Sequence, residues 1–178
     1  MNLNYADIKY CDVANGEGVR VSLFVSGCTH HCKECFNKEA WDFHYGNPFT
    51  QKEIDRILEY LKPNYIAGLS LLGGEPMEPV NQEGILPLLR VVKQTYPEKN
   101  IWCYTGYLFD KDVLDKMCKE SEVTKEIVSY LDIVVDGEFM IDRKNLKINF
   151  RGSDNQRIID VKKTLDAGEI VHWEREIQ

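Results

Sequence analysis

The sequence lacks an excess of basic residues. It carries 22 lysines and arginines against 29 aspartates and glutamates, which gives a formal net charge of -7. Nucleic acids and anionic membrane surfaces attract proteins through positive potential, so this balance argues against a general affinity for either. An acidic partner would need a local basic patch.

Long hydrophobic runs are also missing. No stretch reaches the roughly 18 uninterrupted apolar residues that cross a bilayer. The opening residues, MNLNYADIKYCDV, do not place an apolar run after a basic segment, as a secretory signal does. These absences predict a cytoplasmic protein without a membrane partner.

Internal repeats, low-complexity tracts and recognisable linkers are absent as well. The 178 residues, 43% of them hydrophobic, suffice for one core and match the usual size of one domain. We therefore predict a single domain over residues 1–178.

Strands and helices are predicted to alternate along the chain. Alternating apolar residues predict a strand over 19–25, and an apolar run predicts another over 65–72. Between them, Thr50 and Glu53 form a capping box ahead of apolar residues at helical spacing, which Pro63 ends. The remaining predictions are a helix over 85–96 with Pro87 in its first turn, strands over 101–104 and 133–135, and a helix capped by Asp110.

Such alternation implies parallel strands joined by helical crossovers, with the functional loops at the carboxyl ends of the strands. A complete eightfold barrel takes about 250 residues, so a shorter chain completes only part of one. We expect an α/β fold with a mostly parallel sheet, arranged as an open or partial (βα) barrel of about four to six strands.

Six cysteines are more than packing usually requires in a chain predicted to be intracellular. Three of them, Cys28, Cys32 and Cys35, lie within eight residues in the loop after the first predicted strand. Three thiolates on a four-iron cluster leave one iron open to a small molecule. The other three are scattered, as small buried hydrophobes often are, and receive no role: Cys11, Cys103 and Cys118.

An alternative is a zinc site in which His30 or His31 supplies the fourth ligand. Structural zinc sites usually pair ligands from two separated elements, and the sequence offers no second ligand pair. That alternative would describe a non-catalytic interaction module.

Two motifs together resemble the radical S-adenosylmethionine (SAM) superfamily. Cys28-x3-Cys32-x2-Cys35 follows one predicted strand, and Gly73-Gly74-Glu75-Pro76 follows another. In that superfamily the residue before the third cysteine is commonly aromatic, whereas here it is Glu34, with Phe36 on the other side of Cys35. The resemblance implies one [4Fe-4S] cluster with three cysteine ligands, whose open iron binds SAM.

Further segments narrow the resemblance to anaerobic ribonucleoside-triphosphate reductase activating proteins. The run Arg-Gly-Ser-x-Asn-Gln-Arg separates this family from the similar pyruvate formate-lyase activases and from carboxy-deazaguanine synthases, which remain the rival enzymes. The segments are 15–20, 24–28, 35–37, 104–107, 136–139 and 151–157.

The family resemblance implies a reaction and a set of contacts. SAM is cleaved reductively to methionine and a 5'-deoxyadenosyl radical, which takes a hydrogen atom from the Cα of a glycine in the reductase. An electron donor such as a flavodoxin or ferredoxin is implied, and the glycine's approach predicts an open cleft. The expected cofactor contacts are Glu34, Cys35, Phe36, Gly73, Gly74, Glu75, Thr105 and Asp136. The residues expected to close over the cofactor or dock the reductase are Arg151, Ser153, Asn155, Gln156 and Arg157.

Overall fold

The computed structural model describes residues 2–175, and within them seven strands form one sheet. The strands are β1 (Asn4–Asp12), β2 (Val19–Val25), β3 (Asn47–Pro48), β4 (Ile66–Gly73), β5 (Asn100–Thr105), β6 (Ile133–Asp136) and β7 (Arg157–Asp160). Their order across the sheet is β3-β1-β2-β4-β5-β6-β7.

The centre of the sheet is parallel and its margins are antiparallel. β2, β4, β5 and β6 pair in parallel, whereas β1 runs antiparallel to β2 and β7 antiparallel to β6. The prediction of an α/β fold with a mostly parallel sheet is thus confirmed for the centre. The sheet has seven strands instead of the four to six expected from chain length, and β1, β3 and β7 have no counterpart among the predicted strands. In β1 most side chains are exposed or half-buried, so its sequence carries little apolar alternation.

The helices lie between the strands. They are α1 (Gln51–Leu61), α2 (Pro79–Thr95), α3 (Cys118–Glu120), α4 (Glu122–Tyr130) and α5 (Val161–Ala167). A π-helical segment, Phe109–Met117, leads into α3, and short 3-10 turns lie at Lys38–Trp41 and Ile141–Arg143. No helix of the described residues is long and apolar enough to cross a membrane.

The capping box predicted for α1 is present. The Thr50 hydroxyl accepts a hydrogen bond from the Lys52 amide, and the Thr50 amide donates to the Glu53 carboxylate at 2.8 Å. The helix ends at Leu61, two residues before Pro63, because proline has no amide hydrogen to donate and its ring clashes with the preceding helical turn.

Two details of the predicted helices are wrong. α2 begins at Pro79, six residues before the predicted start, because proline suits the first position of a helix, and Pro87 therefore lies inside the helix. Asp110 does not cap the next helix. The residue at the cap is Leu108, and the Asp110 carboxylate instead pairs with the Arg157 guanidinium at 2.9 Å.

The two faces of the sheet differ in character. One face packs against the helices in the main core, which includes Val21, Leu69 and Ile101. The other face carries a smaller apolar cluster around Trp102 and also holds the buried Arg20 side chain. The second face, together with the loops at the carboxyl ends of the parallel strands, borders the cavity that holds the candidate site.

Arg20 joins three strands from inside the protein. Its guanidinium donates to the Ser70 hydroxyl at 2.7 Å, to the Leu69 carbonyl at 2.9 Å, and to the side chain and backbone of Asn100. A Cβ at Gly16 would stand 2.8 Å from the Arg20 side chain, which explains the glycine. Burial lowers the pKa of Arg20 to about 10, which leaves it charged at neutral pH.

Candidate functional site

A cavity of about 490 Å³ lies at the carboxyl ends of the parallel strands. Its volume falls within the range of about 300–1,000 Å³ that is common for small-molecule sites. Phe36 and Leu146 line it while being 72% and 84% exposed, so the cavity opens to solvent. The residues predicted for the site that line it are Cys28, Cys32, Cys35, Phe36, Gly73, Gly74, Glu75, Thr105, Arg151 and Gln156.

Five other predicted site residues lie outside the cavity lining. They are Glu34, Asp136, Ser153, Asn155 and Arg157. Glu34 is exposed to solvent, whereas the other four are engaged within the protein, as described below.

Backbone hydrogen bonds and two left-handed residues shape the cysteine loop. Its start is anchored because the Cys28 amide donates to the Trp41 carbonyl at 3.2 Å, and its end turns through a bond from the Cys35 amide to the Cys32 carbonyl at 3.1 Å. His31 and Glu34 adopt left-handed backbone conformations, with φ of 52° and 57°, which are uncommon outside glycine. This backbone brings all three thiols to one cavity.

Hydrogen bonding and burial act on the thiols. The Asn37 amide donates to the Cys35 sulfur at 3.5 Å, a contact that stabilises negative charge on sulfur. Burial raises the pKa of the Cys28 thiol to about 11, and burial also raises the pKa of Cys32. Without a metal these two thiols are therefore protonated at neutral pH, and metal binding must release their protons.

The glycine pair at the end of β4 lies directly against the start of the cysteine loop. Gly73 has a φ of 108°, and the Gly74 amide donates to the Val25 carbonyl at 2.7 Å. A Cβ on Gly74 would stand 2.6 Å from the Gly27 carbonyl oxygen, too close for any other residue without movement. The glycines thus permit two strand-end loops to touch.

Glu75 is a buried carboxylate with its oxygens already engaged. It is 1% exposed, and it accepts from the Met77 amide at 2.8 Å and from the Gly106 amide at 2.7 Å. The His30 ring nitrogen Nε2 lies 2.8 Å from the same oxygen that meets Gly106. The predicted contact between Glu75 and the methionine ammonium stays a prediction, and the observed partners lie within the protein.

His30 is held by two carboxylates. Its Nδ1 lies 3.1 Å from Glu138, and its ring packs edge-on against Tyr107 with centroids 4.4 Å apart. Burial opposes protonation of the ring, but the hydrogen bonds and charges of Glu75 and Glu138 outweigh it and raise the pKa of His30.

These contacts bear on the zinc alternative. Both ring nitrogens of His30 are occupied, and the His31 ring stacks on Trp41 at 4.5 Å. Among residues 2–175, no three His, Cys, Asp or Glu side chains are grouped as ligands of a single metal ion, and this includes the three cysteines of the loop. The engagement of His30 and His31 with other side chains does not favour either of them as a fourth zinc ligand.

Asp136 takes part in a buried ion pair. The carboxylate is fully buried and accepts from the Arg157 Nε at 2.9 Å and from the Phe109 amide at 2.7 Å. Arg157 also pairs with Asp110, so one guanidinium joins the end of β6, the start of β7 and the π-helical segment. These two residues have a structural function in the observed arrangement.

The segment 151–157 is hydrogen-bonded to the loop that follows β6. The Gln156 side chain accepts from the Gly152 amide at 2.9 Å and donates to the Gly137 carbonyl at 2.9 Å. The buried Ser153 hydroxyl accepts from the Met140 amide, and the Asn155 amide group donates to the Glu138 carbonyl at 2.9 Å. This network fixes the polar run against the end of β6, and the predicted role of the run in binding the cofactor or the reductase stays a prediction.

Three residues of the cavity lining carry polar atoms that are buried and have no partner within residues 2–175. They are the Tyr104 hydroxyl, the Arg151 Nε and the Trp41 Nε1. Buried polar atoms usually have a partner, so such atoms in a cavity wall fit a polar ligand. Together with three thiols in the same cavity, they fit an iron–sulfur cluster and a polar cofactor. Trp41 was not predicted from sequence, and Tyr104 was noted only as part of a motif.

Comparisons with known proteins agree with this chemistry. A family model described as a 4Fe-4S single cluster domain matches residues 14–159, a span that includes the cysteine loop and β2 to β6. The match defines an iron–sulfur protein.

Similar curated proteins are anaerobic ribonucleoside-triphosphate reductase-activating proteins. The one from Pasteurella multocida (strain Pm70) is 40% identical over 88% of this chain and 96% of the relative. The one from Enterobacteria phage T4 is 42% identical over 88% of this chain and 93% of the relative. The protein of that name from Escherichia coli (strain K12) is 38% identical over 86% and 96%. The chain belongs to the family of anaerobic ribonucleoside-triphosphate reductase-activating proteins.

Proposed function

We propose that this protein activates an anaerobic ribonucleoside-triphosphate reductase by a radical SAM reaction. Cys28, Cys32 and Cys35 would hold one [4Fe-4S] cluster, and SAM would bind beside it in the same cavity. The observation that carries the proposal is that the three cysteines of the loop and the Gly73-Gly74 turn line one open cavity. The names of the relatives point to the same reductase as the target.

The cluster and SAM, when bound, would supply one electron and the 5'-deoxyadenosyl radical that removes a hydrogen atom from a glycine Cα. The protein's own part is to fix the ligands. Cys28 is anchored through its amide to Trp41, and Cys35 accepts a hydrogen bond from the Asn37 amide. That amide lowers the cost of negative charge on the ligating sulfur.

The walls of the cavity supply the cofactor contacts in this proposal. Gly73 and Gly74 let the methionine end of SAM approach the backbone closely, because no side chain intervenes. The unpartnered Arg151 guanidinium nitrogen suits the methionine carboxylate, and the Tyr104 hydroxyl suits a ribose oxygen. Phe36 and Thr105 line the same space. The contacts predicted for Glu34 and Asp136, which lie outside the cavity lining, stay predictions.

The sheet would form a partial (βα) barrel within a single domain over residues 1–178. The reductase glycine would enter through the solvent-facing mouth near Phe36 and Leu146. A flavodoxin or ferredoxin would supply the electron, and the reaction would take place in the cytoplasm.

The ligand assignment is tested by Cys32→Ala, with Cys11→Ser as the matched control because Cys11 is exposed and lies outside the cavity lining. After anaerobic reconstitution with iron and sulfide, Cys32→Ala should retain little iron and sulfide, since two thiolates rarely keep a cube. Cys11→Ser should match the parent protein. Full cluster assembly in Cys32→Ala would contradict the assignment.

The reaction itself is tested by quantifying 5'-deoxyadenosine after addition of SAM and dithionite, with and without the candidate reductase. We expect product that rises strongly when the reductase is present. A colourless protein with stoichiometric zinc, no iron–sulfur absorbance and no product would favour the zinc module instead.

A further inference from the structure

One side chain of the cysteine loop reaches the loops that follow three other strands. His30 lies between Cys28 and Cys32, and its side chain is 10% exposed. Its Nε2 meets Glu75 after β4 at 2.8 Å, and its Nδ1 meets Glu138 after β6 at 3.1 Å. The Glu75 oxygen that meets His30 also accepts from the Gly106 amide after β5. One imidazole therefore connects the loops at the carboxyl ends of β2, β4, β5 and β6.

The ring is also fixed by packing. A Cβ added to Gly106 would stand 2.7 Å from the His30 ring, so the glycine allows the backbone after β5 to touch the imidazole. Tyr107 packs edge-on against the ring at 4.4 Å. Packing and the two carboxylates together hold the His30 side chain in its position.

A second contact of the cysteine loop has a narrower reach. The Thr29 amide donates to the Glu78 carboxylate at 3.0 Å, and the Thr29 hydroxyl meets the same oxygen. This contact ties the loop to the start of α2, and the side chain of Tyr107, after β5, also interacts with Thr29 and Glu78. Glu138, by contrast, also receives the Asn155 side chain on its backbone carbonyl, so the His30 contacts extend to the segment 151–157.

We infer that His30 is a positioning residue that sets the cysteine loop, and the cluster proposed to bind there, against the walls of the SAM cavity. The inference rests on the proposed function for the identity of the bound groups. Thiols and backbone anchors remain when His30 is replaced, so cluster assembly should persist. The placement of the open iron relative to the walls after β5 and β6 should be lost, and SAM should coordinate more weakly.

The test compares His30→Gln and Glu138→Ala with the parent protein and with a matched control, His44→Gln. Glutamine at position 30 keeps a polar side chain but lacks the two ring nitrogens that meet Glu75 and Glu138. Glu138 is 55% exposed, so its removal spares the core. His44 is 93% exposed, lies beside Asp42 at 3.5 Å and is outside the cavity lining.

The measurements are iron content, and the electron paramagnetic resonance (EPR) spectrum of the reduced cluster as SAM is added. His30→Gln should hold as much iron as the parent but need about 10- to 100-fold more SAM for half of the spectral change, the usual cost of losing an outer-shell partner. Glu138→Ala should shift the SAM dependence in the same direction by a smaller factor. His44→Gln should follow the parent.

Several outcomes would overturn the inference. One is a His30→Gln protein with full iron and parental SAM dependence, and another is a loss of iron in His30→Gln while Glu138→Ala keeps both iron and SAM dependence. If His30→Gln does not fold, Glu138→Ala decides, because an unchanged SAM dependence there refutes the inference. A parent protein whose cluster spectrum ignores SAM would instead contradict the proposed function.

Discussion

Replacing Arg157 by alanine leaves a fully buried carboxylate without its counter-charge. Asp136 is 0% exposed and would keep only the Phe109 amide, because two of its three hydrogen-bond donors belong to Arg157. Removing one partner of a buried ion pair costs about 3–5 kcal/mol. For a chain of this length that cost lowers the melting temperature by roughly 6–20 °C.

The assay is urea and thermal unfolding of the cluster-free protein, with Asp110→Asn as the control. Asp110 also pairs with Arg157, but its side chain is 35% exposed, so its loss should cost no more than about 1 kcal/mol. Arg157→Lys should fall between the two, because lysine keeps the charge and loses the fork of donors. If Arg157→Ala unfolds like the parent and only loses activity toward the reductase, the ion pair is not structural and Arg157 belongs to the docking surface.

Three further substitutions test other parts of the structure. Gly74→Ala should cost about 1–3 kcal/mol in urea unfolding, because its Cβ would stand 2.6 Å from the Gly27 carbonyl, and a cost below about 0.5 kcal/mol would refute that packing. Arg20→Lys should lower the unfolding free energy by about 1–3 kcal/mol, since lysine leaves buried acceptors unpaired. Parental stability would contradict the stabilising role of the Arg20 hydrogen bonds between strands. Asp132→Asn should cost about 1.5–3 kcal/mol at pH 7. Burial alone would raise the pKa of Asp132, but its hydrogen bonds and the charge of Lys93 together outweigh burial and lower that pKa. That contribution is present above the unfolded-state pKa of about 3.9 and is lost as pH falls through the folded-state pKa, so a difference that does not shrink in acid would be contrary evidence.

The parts of the fold that sequence predicted are those with local signals. The apolar runs of β2 and β4 and the capping box of α1 need only neighbouring residues to be recognised. β1 escaped recognition because its side chains are largely exposed and its pairing with β2 is broken by register shifts. β7 begins at the last residue of the polar run at 151–157, and only one of its four side chains is fully buried, so it lacks the apolar pattern of a central strand.

The same distinction holds for the site. The cysteine spacing and the glycine pair are short motifs, and the structure brings them to one cavity. The contacts of His30 with Glu138 span 108 positions, and those of Arg157 with Asp110 span 47, so no local pattern indicates either pair. The predicted role of Arg157, in closing over the cofactor or docking the reductase, stays a prediction, and its ion pair with the buried Asp136 is visible only in the structure.

The central claim is tested most directly by the glycyl radical itself. The anaerobically reconstituted protein is combined with SAM, dithionite and the candidate reductase, and the EPR spectrum of the reductase is recorded. We predict a glycyl radical signal that requires both the cluster and SAM and is absent with the Cys32→Ala protein. A reductase that stays free of radical, while the intact cluster cleaves SAM, would contradict the proposed function.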